Sequence, residues 1–291
     1  MKKWISILTL SLTVFALTVT PSHAKDRSSL SSITPLSKAH AHNDYEHNKP
    51  LQDALDHGFT SVEADVWLKD GKLLVAHDQI DLKPDRTLES LYLAPLKKRI
   101  KSNGGSVYKG YKKQDFLLWI DIKSEDAATY KAIHEKLTAY KNMLTRISGD
   151  DVDQGAVTVI ISGNRPYELM KSQKTRYSTN DGRMSDLGMN FSNTFMPVIS
   201  DNWTKHFTWQ GIGPMPEEEK KKLHHIVKTA HTNGQIVRFW ATPDAALPNR
   251  EAVWQELMNA GVDLINTDDL PGLQQFLLKN DTNPTSRHID W

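Results

Sequence analysis

The chain has 291 residues, 36 Lys and Arg against 35 Asp and Glu, a hydrophobic share of 38% and no cysteine. That is globular composition, so disorder, collagen-like repeats and a disulfide scaffold are excluded. A formal charge of +1 offers no basic footprint for nucleic acid, and the missing cysteines exclude thiolate metal sites and thiol nucleophiles.

Residues 1–24 read as a secretory signal peptide. Lys2 and Lys3 precede an apolar run from Ile5 to Val19, and Ser22-His23-Ala24 offers a small-residue cleavage site before Lys25. Cleavage shifts the formal charge to −1, and no later segment is apolar enough to span a membrane. The expected product is secreted or extracytoplasmic, without stable membrane insertion. Residues 25–35 form a Ser-rich leader, 36–280 the folded domain and 281–291 a C-terminal tail. Nothing in the sequence specifies an oligomeric state.

Within the domain, Leu36–His42 reads as a strand and Pro50–His57 as a short helix stopped by Gly58. Thr60–Trp67 and Phe116–Lys123 alternate like strands, with a short extended stretch after Gly71 ending at His77-Asp78. Ala127–Lys141 places Tyr130, Ile133, Leu137 and Tyr140 on one helical face, and Ala156–Ile161 has the continuous apolar run of a buried parallel strand. Weakly marked strands are expected near 175–179 and 194–199. Ser200–Met215 reads as a self-packed aromatic loop, with a lid or lipid-facing loop as the alternative. Pro216 and three glutamates open a helix ending at Asn233-Gly234, and Gln235–Ala241 follows as a strand. A helix capped by Asn249 runs to Gly261, Val262–Asn266 is the next strand, and Pro271 starts the last helix. About eight strand–helix units fit an α/β fold of the (β/α)8 TIM-barrel type, with a doubly wound open sheet as the runner-up.

In a barrel the C-terminal strand ends build the site. Here they carry His40-Ala41-His42-Asn43-Asp44, Glu63-Ala64-Asp65, His77-Asp78 and Asp121-Ile122-Lys123. Residues two apart in a strand share a face, so Glu63 pairs with Asp65, and Asp121 with Lys123. Three converging carboxylates suit one hard divalent cation, Ca²⁺ or Mg²⁺. Two imidazoles beside it, titrating near pH 6.5, suit acid and base roles, and the ion with Lys123 suits charge on a phosphoryl group. Without further information, Glu63 and Asp65 could equally form a structural ion-pair cluster with Lys123. Arg238 and Trp240 share a strand face, which either lines the expected pocket or packs the barrel.

The run AHNDYEHNKPLQDALDHGFTSVEADVWLKDGKLLVAHD resembles the opening of the glycerophosphodiester phosphodiesterase and phosphatidylinositol phospholipase C superfamily. WIDIK, FWATPD and GVDLINTDDLP resemble its third-ligand, late Trp-bearing and closing strands. HNDY, VEADVW, RTLESLYLAPL, IISGN, SDNW, RFWATPD and INTDDLPGL occur in the order of the branch named for altered inheritance of mitochondria protein 6. The resemblance implies His42 and His77 as the catalytic pair and Glu63, Asp65 and Asp121 as metal ligands, with a small-molecule or lipid phosphodiester as substrate. Asn43 stands where that superfamily has a phosphate-binding Arg, and joins Lys123, Arg238 and Trp240 as a candidate substrate contact. The departure keeps a catalytically silent binder of phosphorylated head groups as an alternative. His40 with His42 also resembles the zinc pair of amidohydrolase-type barrels. No histidine lies at 135–205 to complete such a set, and His40 is read as supporting structure.

Overall fold

The computed structural model describes residue 1 and residues 33–291, so the signal-peptide expectation and nearly all of the leader lie outside the described residues. The first half contains β1 (Leu36–Ala41), α1 (Gln52–Asp56), β2 (Phe59–Lys69), β3 (Lys72–Val75), α2 (Ala94–Ser102), β4 (Phe116–Ile122) and α3 (Asp126–Thr138). Then come β5 (Arg146–Ser148), β6 (Asp151–Asp153), β7 (Val157–Gly163), α4 (Tyr167–Ser172), β8 (Thr175–Arg176) and β9 (Thr179–Gly182). The last part holds β10 (Val198–Asn202), α5 (Trp203–His206), α6 (Glu217–Thr232), β11 (Ile236–Trp240), α7 (Pro248–Ala260), β12 (Leu264–Thr267) and α8 (Leu270–Asn280).

The strands pair in the order β1, β12, β11, β10, β9, β7, β4, β2, and a parallel β1–β2 pairing closes the ring. This is an eight-stranded parallel (β/α)8 barrel. The open-sheet alternative falls on that closing pair. Strand β3 turns back antiparallel on β2, and β5, β6 and β8 form a separate small sheet. Among the described residues, no helix is long and apolar enough to cross a membrane.

Alternation along each strand sorts side chains between the barrel interior and the helices. On β4, Leu118, Ile120 and Ile122 join the large cluster under the helices, whereas Leu117 and Trp119 belong to a separate inner cluster. That inner layer also takes Ile160, Val198, Ile236 and Leu264. Ile289 of the C-terminal tail is buried in it. The tail is thus packed into the N-terminal mouth of the barrel. It is fastened there by Ser37 N–H to Pro284 O at 2.7 Å and by His288 Nδ1 with Asp115 Oδ1 at 2.8 Å.

Several expectations shift. The fifth and sixth barrel strands are Thr179–Gly182 and Val198–Asn202, later than the expected positions, and Thr175–Arg176 instead pairs with β5. Strand β9 reads Thr-Asn-Asp-Gly and is fully buried, so its side chains are polar where an apolar run marks other strands. Asn249 does not cap α7. Leu247 holds that place with Pro248 at the first helical position, and Asn249 Nδ2 instead donates to Gln210 O at 2.9 Å. The aromatic loop packs on itself: Trp203 stacks on Phe207 at 4.0 Å, and Trp203 Nε1 donates to Trp209 O at 2.9 Å. Gly58 stops the first helix as expected, with φ of 82°.

Candidate active site

Register explains why the acidic residues meet. In β2 and β4, Asp65 lies opposite Asp121, and Asp121 in turn lies opposite Ser162 of β7. Glu63 sits one inward-facing step below Asp65 on the same strand. The carboxylates of Glu63, Asp65 and Asp121 offer one ligand oxygen each within 4.8 Å of one another. At the foot of Asp121, Gly163 is in the left-handed region, and a Cβ there would stand 2.5 Å from Asp121 Oδ1. The glycine therefore leaves room for the carboxylate.

The electrostatics of the three acids differ. Glu63 is nearly fully buried; burial raises its pKa, but Arg238, at 2.5 Å, and His40, at 3.2 Å, hold it well below the carboxylate range. Asp65 is pushed up to about 6, first by burial and then by the charge of Glu63, with Lys123 opposing. Asp121 is also raised, by burial and by Glu63. Lys123 Nζ bridges the two, 3.1 Å from Asp65 and 3.0 Å from Asp121. One ammonium thus faces two carboxylates, and Asp65 Oδ1 is buried without a hydrogen-bond partner among the described residues. A hard divalent cation fits this site: the donors are all oxygen, one of them is unpaired, and two of the acids carry unrelieved repulsion.

Both candidate catalytic histidines flank the acids. His42 Nδ1 lies 2.9 Å from Asp268 Oδ1 at the end of β12. Burial lowers the His42 pKa, yet the Asp268 hydrogen bond and the charge of Glu63 raise it overall. His77, on the loop after β3, places Nδ1 3.1 Å from Asp65 Oδ2 and 3.2 Å from Tyr45 Oη. Tyr45 Oη also lies 2.7 Å from Asp65 Oδ2 and 2.9 Å from Asn43 Oδ1, tying the loop after β1 to the acids. The Nε2 atoms of His42 and His77 make no hydrogen bond among the described residues.

His40 is different. It is fully buried between Ser61 Oγ at 2.7 Å and Glu63 Oε2 at 3.2 Å, and its pKa is lowered to about 3, by burial first and then by Arg238. It supports Glu63 from inside the barrel. Among the described residues, the cluster of potential metal ligands is Glu63, Asp65 and Asp121, without His40 or His42.

A cavity of about 190 Å³ opens over these groups. It is lined by His42, Asn43, Glu63, His77, Asp121, Lys123, Arg238 and Trp240, which brings together every expected site residue except Asp65, buried just behind. Its wall also includes Ser162, Arg183 and Ser200. Arg238 reaches the wall with its fork occupied: Nε and Nη2 donate to Asn266 Oδ1 at 3.0 and 2.7 Å, Nη2 also to Glu63, and the guanidinium lies 4.6 Å over Trp119. It acts as the counter-ion of Glu63 while lining the cavity.

Residues 28–180 match the AIM6-like phosphodiesterase domain, and residues 237–271 match the glycerophosphoryl diester phosphodiesterase family. Altered inheritance of mitochondria protein 6 of Eremothecium gossypii is 30% identical over 284 residues, covering 84% of this chain and 70% of that one. The chain belongs to the AIM6-like branch of the glycerophosphodiester phosphodiesterase-like superfamily. Another member of the branch, the homolog from Arthroderma benhamiae, is 29% identical, with 82% of each chain covered. A crystal structure of a glycerophosphoryl diester phosphodiesterase from Parabacteroides distasonis matches at a TM-score of 0.52 and 10% identity, over 87% of this chain and 90% of that one. At that identity the likeness carries the barrel fold alone.

Six residues of the site lie outside the expected set. Asp268 stands in INTDDLPGL, but its partner His42 is 226 positions away. Tyr45, Ser162 and Ser200 stand in HNDY, IISGN and SDNW, where the motif alone assigns them no role. Asp181 is on, and Arg183 directly after, the barrel strand that begins later than expected.

Proposed function

We propose that the protein is a divalent-cation-dependent phosphoric diester hydrolase acting on a glycerophosphodiester or phospholipid-type substrate. The observation that carries this reading is the convergence of Glu63, Asp65 and Asp121 beneath a cavity flanked by His42 and His77. Glu63, Asp65 and Asp121 would hold one Mg²⁺ or Ca²⁺. Once bound, such an ion withdraws charge from phosphoryl oxygens as a Lewis acid.

The chain's own residues supply the rest. Lys123 presents an ammonium to a non-bridging oxygen. Each catalytic histidine has Nδ1 tied to a carboxylate, His42 to Asp268 and His77 to Asp65, which leaves Nε2 as the nitrogen free to exchange a proton. One ring takes the proton of the attacking water or substrate hydroxyl; the other gives a proton to the leaving oxygen. Tyr45 holds the loop of Asn43 against Asp65 and keeps His77 in place. The apolar amino-terminal run supports export as the setting of this activity.

The test is a panel of glycerophosphocholine, lysophospholipids, sphingomyelin, phosphoinositides and a chromogenic bis-aryl phosphate, each with Ca²⁺, Mg²⁺ or chelator. Cation-dependent turnover that His42→Ala and His77→Ala each lower by roughly 10²–10⁴-fold is the expected result. A protein stabilised by the cation yet inert on the whole panel is instead a silent head-group binder.

A further inference from the structure

We infer that Arg183 is the phosphate-binding arginine of this site, reaching it from the fifth barrel strand, where the sequence has Asn43 in place of an arginine after His42. The inference rests on the phosphodiester reading above for the identity of the ligand.

Arg183 follows β9 and lines the cavity with Lys123, Ser162 and Ser200. Its partner is Asp181, fully buried on β9. Asp181 Oδ2 also accepts from Ser162 Oγ at 3.0 Å and Ser200 Oγ at 2.9 Å, so three donors converge on that one oxygen. All of the side-chain bonds of Arg183 run through a single nitrogen. Nη1 donates to Asp181, to Gly182 O at 3.0 Å and to Ser200 Oγ at 3.3 Å. Nε and Nη2 have no partner among the described residues, and the side chain is 27% exposed.

A guanidinium anchored on one nitrogen and open along its Nε–Nη2 edge is preorganised to take two oxygens of a phosphoryl group in parallel hydrogen bonds. Arg238 shows the contrast, because its own Nε–Nη2 edge is filled by Asn266 and Glu63. The position is also close to the acids, since Asp121 and Lys123 line the same cavity.

Charge makes the ligand an anion: Lys123 and Arg183 stand together in the wall, and a divalent ion held by the three acids would add to them.

The test titrates dimethyl phosphate, a diester inert enough to act as a ligand, into the cation-loaded protein by calorimetry, with inorganic phosphate as comparison. Arg183→Gln should weaken binding by roughly tenfold or more, the worth of hydrogen bonds to a charged group. Arg183→Lys should recover little, because an ammonium has no fork. On the best substrate of the panel, the same variants should raise KM and leave the chelator-sensitive thermal shift unchanged. If Arg183→Gln binds dimethyl phosphate as the wild type does, or if the wild type does not bind it, the assignment is overturned. If Arg183→Gln does not fold, Arg183→Lys decides: wild-type affinity in that variant also overturns it. A wild type that turns over no diester but loses dimethyl phosphate binding in Arg183→Gln would sink the hydrolase reading and keep this one.

Discussion

The two mouths of the barrel are built on opposite principles. At the N-terminal mouth, Ile289 fills the axis against Leu117, Trp119, Ile160, Val198, Ile236 and Leu264, all buried, and the tail closes over them. At the C-terminal mouth the axis is left open, and the side chains around it are acids, cations and histidines. One end gains from excluding water; the other stores charge repulsion between Asp65, Asp121 and Glu63 that one ammonium does not relieve. The difference teaches where substitutions should separate stability from activity, because a residue that strengthens one end has little reason to serve the other.

The largest separation is expected at Asp65. Asp65→Asn removes the charge of one ligand of the proposed cation site and should reduce turnover on the order of a thousandfold, as expected when several kcal/mol of charge stabilisation are lost. The same change removes a buried carboxylate that burial and Glu63 already disfavour. In chelator, the variant should therefore melt at or above the wild-type temperature. A variant that melts lower in chelator and keeps its activity would contradict the division of labour between the two ends.

Next is the plug. Ile289→Ala opens a cavity in the inner layer and should cost about 2–5 kcal/mol of stability, with turnover per folded molecule unchanged. Chemical denaturation and specific activity at low temperature check the two halves of that statement. A smaller effect is expected at Asp268. Asp268→Asn retains a side chain near His42 Nδ1 but removes the charge that supports its protonated ring, and should lower turnover by roughly ten- to a hundredfold with little change in KM. Equal losses in both parameters would make Asp268 a substrate contact and not an orienting group.

The same contrast explains what could be read in the sequence. The acids of β2 and β4 sit on strands whose alternation is plain, so period-two spacing put Glu63 with Asp65 and Asp121 with Lys123, while the resemblance supplied His42 and His77, which lie on the loops after β1 and β3. Helices α3, α6 and α7 announced themselves by apolar periodicity and by the glycines that follow the last two. Strand β9 did not, because its inward polar residues Asp181 and Thr179 are stabilised by partners on β7 and β10 that only the closed ring supplies. With β9 misplaced, Arg183 was out of reach. Asp268 and Ile289 depend on contacts across most of the chain, and no local pattern encodes such contacts.

The smallest expected effect is a pH dependence confined to the plugged end. Burial pushes the Asp115 pKa up, but the His288 ring and the backbone N–H donors at His288 and Asp115 hold it below its ordinary value. A carboxylate with a depressed folded pKa stabilises the fold above its unfolded pKa of about 3.9, and that contribution is lost as pH falls through the folded value. Wild type should thus exceed Asp115→Asn in stability at pH 6, and the gap should narrow as both are melted at successively lower pH towards about 2.5. Taking the difference between the two proteins cancels the acid titration of the other mouth, where Asp65 and Asp121 have raised pKa values and protonation relieves repulsion. A gap that stays constant across the series would mean that the charge on Asp115 contributes nothing to closing the barrel, and that the packing of Ile289 and the bond from Ser37 N–H to Pro284 O hold the tail without it.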